Sequence, residues 1–441
     1  MKLNKRYLKS NEAITLIALV ITIIVLLVLA GITIASLTGN NGIISKSGQA
    51  KNVSEIANEK EELEVEVIRF SDKRGNLDPD KVVNGLNKDI KNLKEATNTD
   101  GKFPVKVEYK NGHKYQITED GDIFISVDAG DTAPSDSNAV YTSGNYTAVI
   151  PAGFTVSATE SSIENGLVVI DGSANEWVWV PVSSADLAKM YTEDTTGWNM
   201  LRTSVNTKLK TKELTTQNTF KLGSRELPRT NPGTTADPYY REPDVVSEYD
   251  INPTYLDQAG FKNIEDMATK LKDDYKDMID SVRENGGFYI GRYELGKDSS
   301  NNPQVKAGTV MNNTNWYNLY SACKSFSSGK VESRMIWGCQ WDQVCRFIRT
   351  AKDTSNNTIS LNNSTNYGNY SGSTDYKTGT RNNCITNNIY DLAGNCWEWT
   401  QEAYSTNYRA GRGRMVKTEM VLKVQFQVVV MHILISLIVF S

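Results

Sequence analysis

"NIYDLAGNCWEWTQEAY", residues 388–404, sets two tryptophans, Trp397 and Trp399, on either side of Glu398 directly after a Gly394-Asn395 turn. A stretch of this kind can do chemistry, hold a cation or hold a fold, and the residues around it narrow the choice. No histidine lies between residues 150 and 411, because the only two are His113 and His432. A histidine general base or histidine metal site is therefore excluded from most of the chain. The five cysteines, Cys323, Cys339, Cys345, Cys384 and Cys396, are an odd number and include no C-x-x-C pair. They provide neither a complete disulfide framework nor a zinc or redox motif, and they read as small apolar core residues.

Moving outward, "WYNLYSACKSF" and "WDQVCRFIRTA" have helical spacing, as does "NIEDMATKLKDDYKDMIDSVREN". "NEWVWVPVS", with Val178 and Val180 opposite Trp177 and Trp179, and "GGFYIGRYEL" read as strands. Residues 185–255 and 353–388 are rich in polar and turn-forming residues and are expected as surface loops, the second as an exposed or ligand-adaptable tract. Residues 128–149, "VDAGDTAPSDSNAVYTSGNYTA", offer little to bury and read as a linker. With 441 residues the chain has room for two or three domains, and a net charge of −4 lacks the basic footprint of a nucleic-acid binder.

Toward the N-terminus, the uncharged run from Ala13 to Leu37 spans roughly 37 Å as a helix, enough to cross a bilayer. Lys2, Lys5, Arg6 and Lys9 precede it, which keeps the N-terminus cytoplasmic and sends the remainder outward. A cleaved secretory signal is the rival reading. Beyond it, Val53, Ile56, Ala57, Leu63 and Val67 form an intermittent apolar stripe of a helix. "FPVKVEYKNGHKYQITEDGDIFIS" then predicts a three-strand meander turning at Asn111-Gly112 and Asp120-Gly121, with His113 a solvated turn residue.

The border "A-ITLIALV" resembles the prepilin N-terminal methylation motif of type IV pilins and pseudopilins. The resemblance implies cleavage between Ala13 and Ile14 by a prepilin peptidase, N-methylation of Ile14, and packing with other pilin-like subunits. Ala13 stands where glycine is usual, and Ala18 where a glutamate is. Together "FYIGRYELGK", "WDQVCRFI" and the G-N-x-W-E-W core of the opening stretch resemble the formylglycine-generating enzyme, or sulfatase-modifying factor, family, whose fold is related to C-type lectins. That likeness implies calcium held by Asn395 and Glu398 with backbone oxygens of Gly394 and Cys396, since a hard cation takes oxygen donors from a tight turn. The competing reading has Glu398 accepting hydrogen bonds while Trp397 and Trp399 pack. The family's activity needs a pair of cysteines near the domain's C-terminal end that bind copper; no cysteine follows Cys396, so copper is not expected.

The expected fold is α+β. It comprises a basic leader (1–13), the transmembrane part of a pilin-like helix (14–37), a helix continuation and pilin-like head with a small antiparallel sheet (38–127), the linker (128–149) and a lectin-like domain (150–411). An anomalous tail (412–441) follows. The expected function is a membrane- or pilus-anchored surface protein that binds a protein or glycan ligand through a non-catalytic domain. A formylglycine-generating oxidoreductase and a minor pseudopilin of a secretion or uptake system are the alternatives.

The tail changes composition abruptly. Met415-Val416 must be encoded ATG-GTN, and reading one nucleotide earlier gives Asn, Asp, His or Tyr followed by Gly; Met420-Val421 does the same. A frameshift near Arg412 to Arg414 is expected from this pattern, leaving the sheet without its closing strand and an apolar end exposed.

Overall fold

A run of Glu, Lys, Leu and Ala without Pro or Gly after Gly48 favours a helix, and helix α1 spans Ile43–Phe70. The computed structural model describes residues 43–193, 198–199, 215–216, 220–222, 253–311, 314–329, 331–349, 368, 376–392, 394–405, 408–413 and 431–435. The leader, the apolar run 14–37 and the Ala13/Ile14 junction lie outside the described residues. Among the described residues no helix is long and apolar enough to cross a membrane. The fold is mixed α and β with antiparallel sheets, divided into two compact units between Ile123 and Phe124.

In the first unit, Ile56, Leu63 and Val67 of α1 are buried as the stripe predicts, but Val53 is 43% exposed and Ala57 is exposed as well. Helix α2 (Pro79–Asp89) starts where Asp78 caps it, its carboxylate accepting the Lys81 N–H, with proline at the first helical turn. Strands β1 (Leu93–Thr99), β2 (Lys102–Tyr109) and β3 (Lys114–Ile117) then pair antiparallel in sequence. β2 and β3 turn at Asn111-Gly112 as expected, where Gly112 takes φ 92°; β1 had no expectation.

His113 is not a solvated turn residue. Its Nδ1 lies 2.7 Å from Glu59 and its Nε2 2.8 Å from Asn52, and Tyr115 and Asn111 also donate to Glu59 at 2.7 Å. One carboxylate on α1 thus collects the hairpin's polar side chains and ties helix to sheet, a long-range pairing that turn chemistry alone does not reveal.

In the second unit, the tract 128–149 is a correction. β4 (Ile123–Ser126) runs parallel to β5 (Ala139–Ser143), and β5 makes a hairpin with β6 (Tyr146–Ile150). Ala133, Ala139, Tyr141, Ala148 and Val149 enter the main core. Small residues that read as linker are here the ones able to pack closely.

The larger sheet is built from β7 (Thr155–Val156), β8 (Val168–Ile170), β9 (Glu176–Pro181) and β10 (Gly287–Gly291), all antiparallel. β9 is buried on both faces, Trp177 to Val180 each at 0% exposure, so its continuous apolar run marks a central strand. Gly287 makes room for it, because a Cβ there would meet the Trp179 ring at 2.4 Å. Helices α3 (Ser184–Met190), α4 (Ile264–Asn285), α5 (Trp316–Lys324) and α6 (Gly338–Arg349) form where apolar periodicity places the last three, with Asn263 and Asn315 as side-chain caps. Strand β11 (Val331–Met335) precedes α6, and β12 (Trp397–Ser405) forms a hairpin with β13 (Tyr408–Gly413). Most of 185–255 and 353–388 lies outside the described residues.

The tail departs from expectation most. Met431–Ile435 forms β14, inserted between β10 and β11, so the sheet runs β11-β14-β10-β9-β8-β7. The sheet does not lack its closing strand; the tail supplies it. β-branched and aliphatic residues suit an interior strand whatever reading frame encodes them.

Three turns share one device. Asp72, Asp171 and Asp298 each accept the backbone N–H two and four residues on with Oδ1 and the side-chain amide of Asn76, Asn175 or Asn302 with Oδ2, at 2.7–3.0 Å. The residue three after each aspartate is left-handed: Gly75, Ala174 and Asn301. Ala174, at φ 59°, carries a Cβ where glycine is free of strain. Ala174→Gly is expected to stabilise the second unit by about 0.5–1 kcal/mol, read as a rise in urea midpoint at constant m. An unchanged or lower midpoint would sink this reading of the turn.

Candidate functional site

The G-N-C-W-E-W turn is made by backbone conformation before side chains enter. Asp391, Gly394 and Asn395 take φ of 59°, 91° and 57°, so the chain turns tightly twice before entering β12. Asn is among the few residues with a side chain that tolerate this region. Asn395 is 1% exposed; its Oδ1 accepts the Tyr376 N–H at 2.8 Å, and its Nδ2 donates to Glu294 at 2.5 Å and to the Tyr376 carbonyl at 3.2 Å. Glu398, also 1% exposed, accepts the indole N–H of Trp341.

Two acids complete a sealed polar centre. Glu294 follows β10 and is 1% exposed; Asp391 is 3% exposed and accepts from the Thr378 hydroxyl at 2.9 Å and the Gly379 N–H at 3.1 Å. Both stand in stretches quoted above, "GRYEL" and "NIYDLAG", but nothing in their spacing shows that they meet Asn395 and Glu398.

Burial first, then the charges of Asp391 and Glu398, hold Glu294 well above its ordinary 4.5. Burial likewise raises Glu398, partly offset by Trp341, and it raises Asp391. Glu294 Oε1 and Glu398 Oε1 have no hydrogen-bond partner, which is consistent with carboxyls that keep their protons.

The calcium expectation can be set against this geometry. Two orphaned carboxylate oxygens are the kind of atom a hard cation satisfies. However, Asn395 spends its carbonyl oxygen on Tyr376, Glu398 gives one oxygen to Trp341, and among the described residues no three His, Cys, Asp or Glu side chains converge as metal ligands. Calcium takes about six to eight oxygens, of which the unpartnered Glu294 Oε1 and Glu398 Oε1 would supply two. Of the tryptophans, Trp399 is 8% exposed with its N–H unpartnered, so packing rather than hydrogen bonding holds it; the Trp397 side chain lies outside the described residues.

The thiols are equally withdrawn. All five cysteines are buried. Burial and then the Asp391 charge push the Cys384 thiol up to about 12, and burial raises Cys323 as well. A thiol held neutral is a poor nucleophile and metal ligand.

The raised Glu294, Asp391 and Glu398 carboxyls make the stability of the second unit depend on pH. A carboxyl whose folded pKa lies above its unfolded value contributes stability that is full below the unfolded pKa and is lost as pH rises through the folded one. The second unit is expected to lose thermal stability from about pH 5 upward. Glu398→Gln, which keeps an acceptor for Trp341 but cannot ionise, should flatten that fall. Melting curves of both proteins at several pH values test it, and parallel profiles would overturn it. No protein-family profile, curated protein or solved structure matches this chain.

Proposed function

We propose that this chain is a surface-exposed, membrane- or pilus-anchored binding protein whose second unit is a non-catalytic lectin-like scaffold for a protein or glycan ligand. The observation that carries this reading is the direction of the site's chemistry. Glu294, Asp391, Asn395 and Glu398 lie buried together in the interior, Asn395 donating to Glu294, and every thiol is buried. Groups without solvent access position the fold rather than meet a substrate, and the Asn-, Ser-, Thr- and Tyr-rich composition of 353–388 suits recognition of a ligand.

The uncharged run behind a basic leader supports the anchor, with Ile14 the methylated first residue after prepilin peptidase cleavage. The order of a long helix and an antiparallel meander in the first unit supports neighbours of pilin-like kind. Cells displaying the full chain are tested on immobilised mannose-, galactose- and sialic acid-terminated glycans and with a sulfatase-type cysteine peptide supplied with copper and oxygen. The expected result is retention on one surface class and no formylglycine. Measured turnover of the peptide would replace this function with the oxidoreductase alternative.

A further inference from the structure

His113 joins two elements through both of its ring nitrogens. It follows the Asn111-Gly112 turn of the β2–β3 hairpin, and its side chain is 19% exposed, open enough to exchange a proton with water. Nδ1 lies 2.7 Å from Glu59 Oε2, on a side chain 12% exposed, and Nε2 lies 2.8 Å from Asn52 Oδ1. Both partners are oxygens on α1, so a ring that donates on each side carries two protons and is an imidazolium. A neutral ring has one N–H, and the nitrogen that gives up its proton turns a lone pair toward an oxygen.

The titratable and charged groups around the ring come from both elements. On α1, Glu59 also accepts from the Tyr115 hydroxyl and the Asn111 amide at 2.7 Å, Glu62 accepts from the Tyr109 hydroxyl at 3.0 Å, and Glu55 pairs with Lys51 at 3.5 Å. On the hairpin, Lys110 turns its ammonium to the Lys91 carbonyl at 2.7 Å. What His113 holds is the start of α1. None of Ala50 to Glu55 is buried, Val53 being 43% exposed, and apolar packing begins at Ile56. Ahead of Ile56, among the described residues, Asn52 reaches the hairpin through His113.

We propose that His113 is a proton-operated latch: doubly protonated, it fastens the first turns of α1 to the β2–β3 hairpin through Asn52 and Glu59, and loss of one proton frees Asn52. Histidine is the side chain that ordinarily changes charge between about pH 5 and pH 8, so the latch closes on acidification and opens as pH rises through that range. An ionised acceptor holds a donor more strongly than a neutral amide does. The neutral ring therefore keeps its N–H on Glu59, and Nε2 is left bare against Asn52. The inference is independent of the ligand-binding reading above.

Nitroxide labels on Ala50→Cys in α1 and Lys106→Cys in β2, both exposed, read the distance between helix and sheet in the full-length chain, whose native cysteines are buried. One narrow distance is expected at about pH 5, and its loss to a broad, longer distribution at about pH 8, reversed on return to acid. His113→Gln, which cannot change charge, should give one distribution at both pH values, and Asn52→Ala the broad one at both. A narrow distance at both pH values in the chain that keeps His113 and Asn52 overturns the proposal, as does an unchanged pH response in His113→Gln. Nitrogen NMR of the chain labelled in its two histidines, His113 and His432, reads the ring with no substitution near it, and the His113→Gln chain identifies the signal. A ring protonated on both nitrogens in acid and on Nδ1 alone above the transition is expected; a neutral ring that keeps its proton on Nε2 overturns the latch.

Discussion

Asn395→Asp lowers the stability of the second unit by about 3–5 kcal/mol at neutral pH, the usual cost of leaving a buried charge unpaired. The substitution is nearly isosteric and keeps a side chain that tolerates φ 57°. It replaces the amide that donates to Glu294 at 2.5 Å with a second acceptor facing the first. Either two carboxylates confront each other away from water or one more proton must be bound. The penalty should shrink as pH falls toward 5, where protonation restores a donor. Urea unfolding at pH 5 and pH 8 distinguishes the two causes of loss. An equal penalty at both values would show that shape, not charge, holds this turn.

Trp179→Ala should be comparably severe, at about 3–5 kcal/mol, because a fully buried indole leaves a cavity that a central strand cannot collapse around. Trp179 has 0% exposure and meets Tyr289 edge-on at 5.0 Å between ring centroids. Its N–H has no partner, so Trp179→Phe removes bulk without breaking a hydrogen bond and should cost less than about 1.5 kcal/mol. Trp177 makes the contrast, since its N–H donates to Asp171 at 3.3 Å. Trp177→Phe should therefore cost about 0.5–1.5 kcal/mol more than Trp179→Phe, the net value of one hydrogen bond. Thermal melts of the three variants decide it, and equal losses from the two phenylalanine substitutions would mean the Asp171 contact contributes nothing.

Much of the local structure was legible because its causes are local. Apolar periodicity located α4, α5 and α6, and Asn111-Gly112 located the β2–β3 turn. The alternating Val and Trp of "EWVWVP" marked β9, although its burial on both faces depends on β8, β10 and the surrounding core. The Asp-x-x-x-Asn turns are equally local, since each is closed by hydrogen bonds within five residues.

Composition misled where burial is decided at a distance. Residues 128–149 are small and polar, yet their hairpin packs into the core because neighbouring strands cover it. The tail's aliphatic run looked like a damaged end, and an open slot in a sheet made it an interior strand.

The same division runs through the candidate site. Sequence by itself determined that a Gly-Asn turn leads into Trp-Glu-Trp, that no histidine accompanies it, and that no cysteine follows Cys396. These are facts of residue identity and spacing. Only the tertiary structure decided that Glu294, a hundred residues away along the chain, donates no charge to solvent but shares a sealed centre with Asp391, Asn395 and Glu398. Whether a carboxyl ionises, binds a cation or keeps its proton depends on the water and partners left to it after folding, and one-dimensional order does not contain that information.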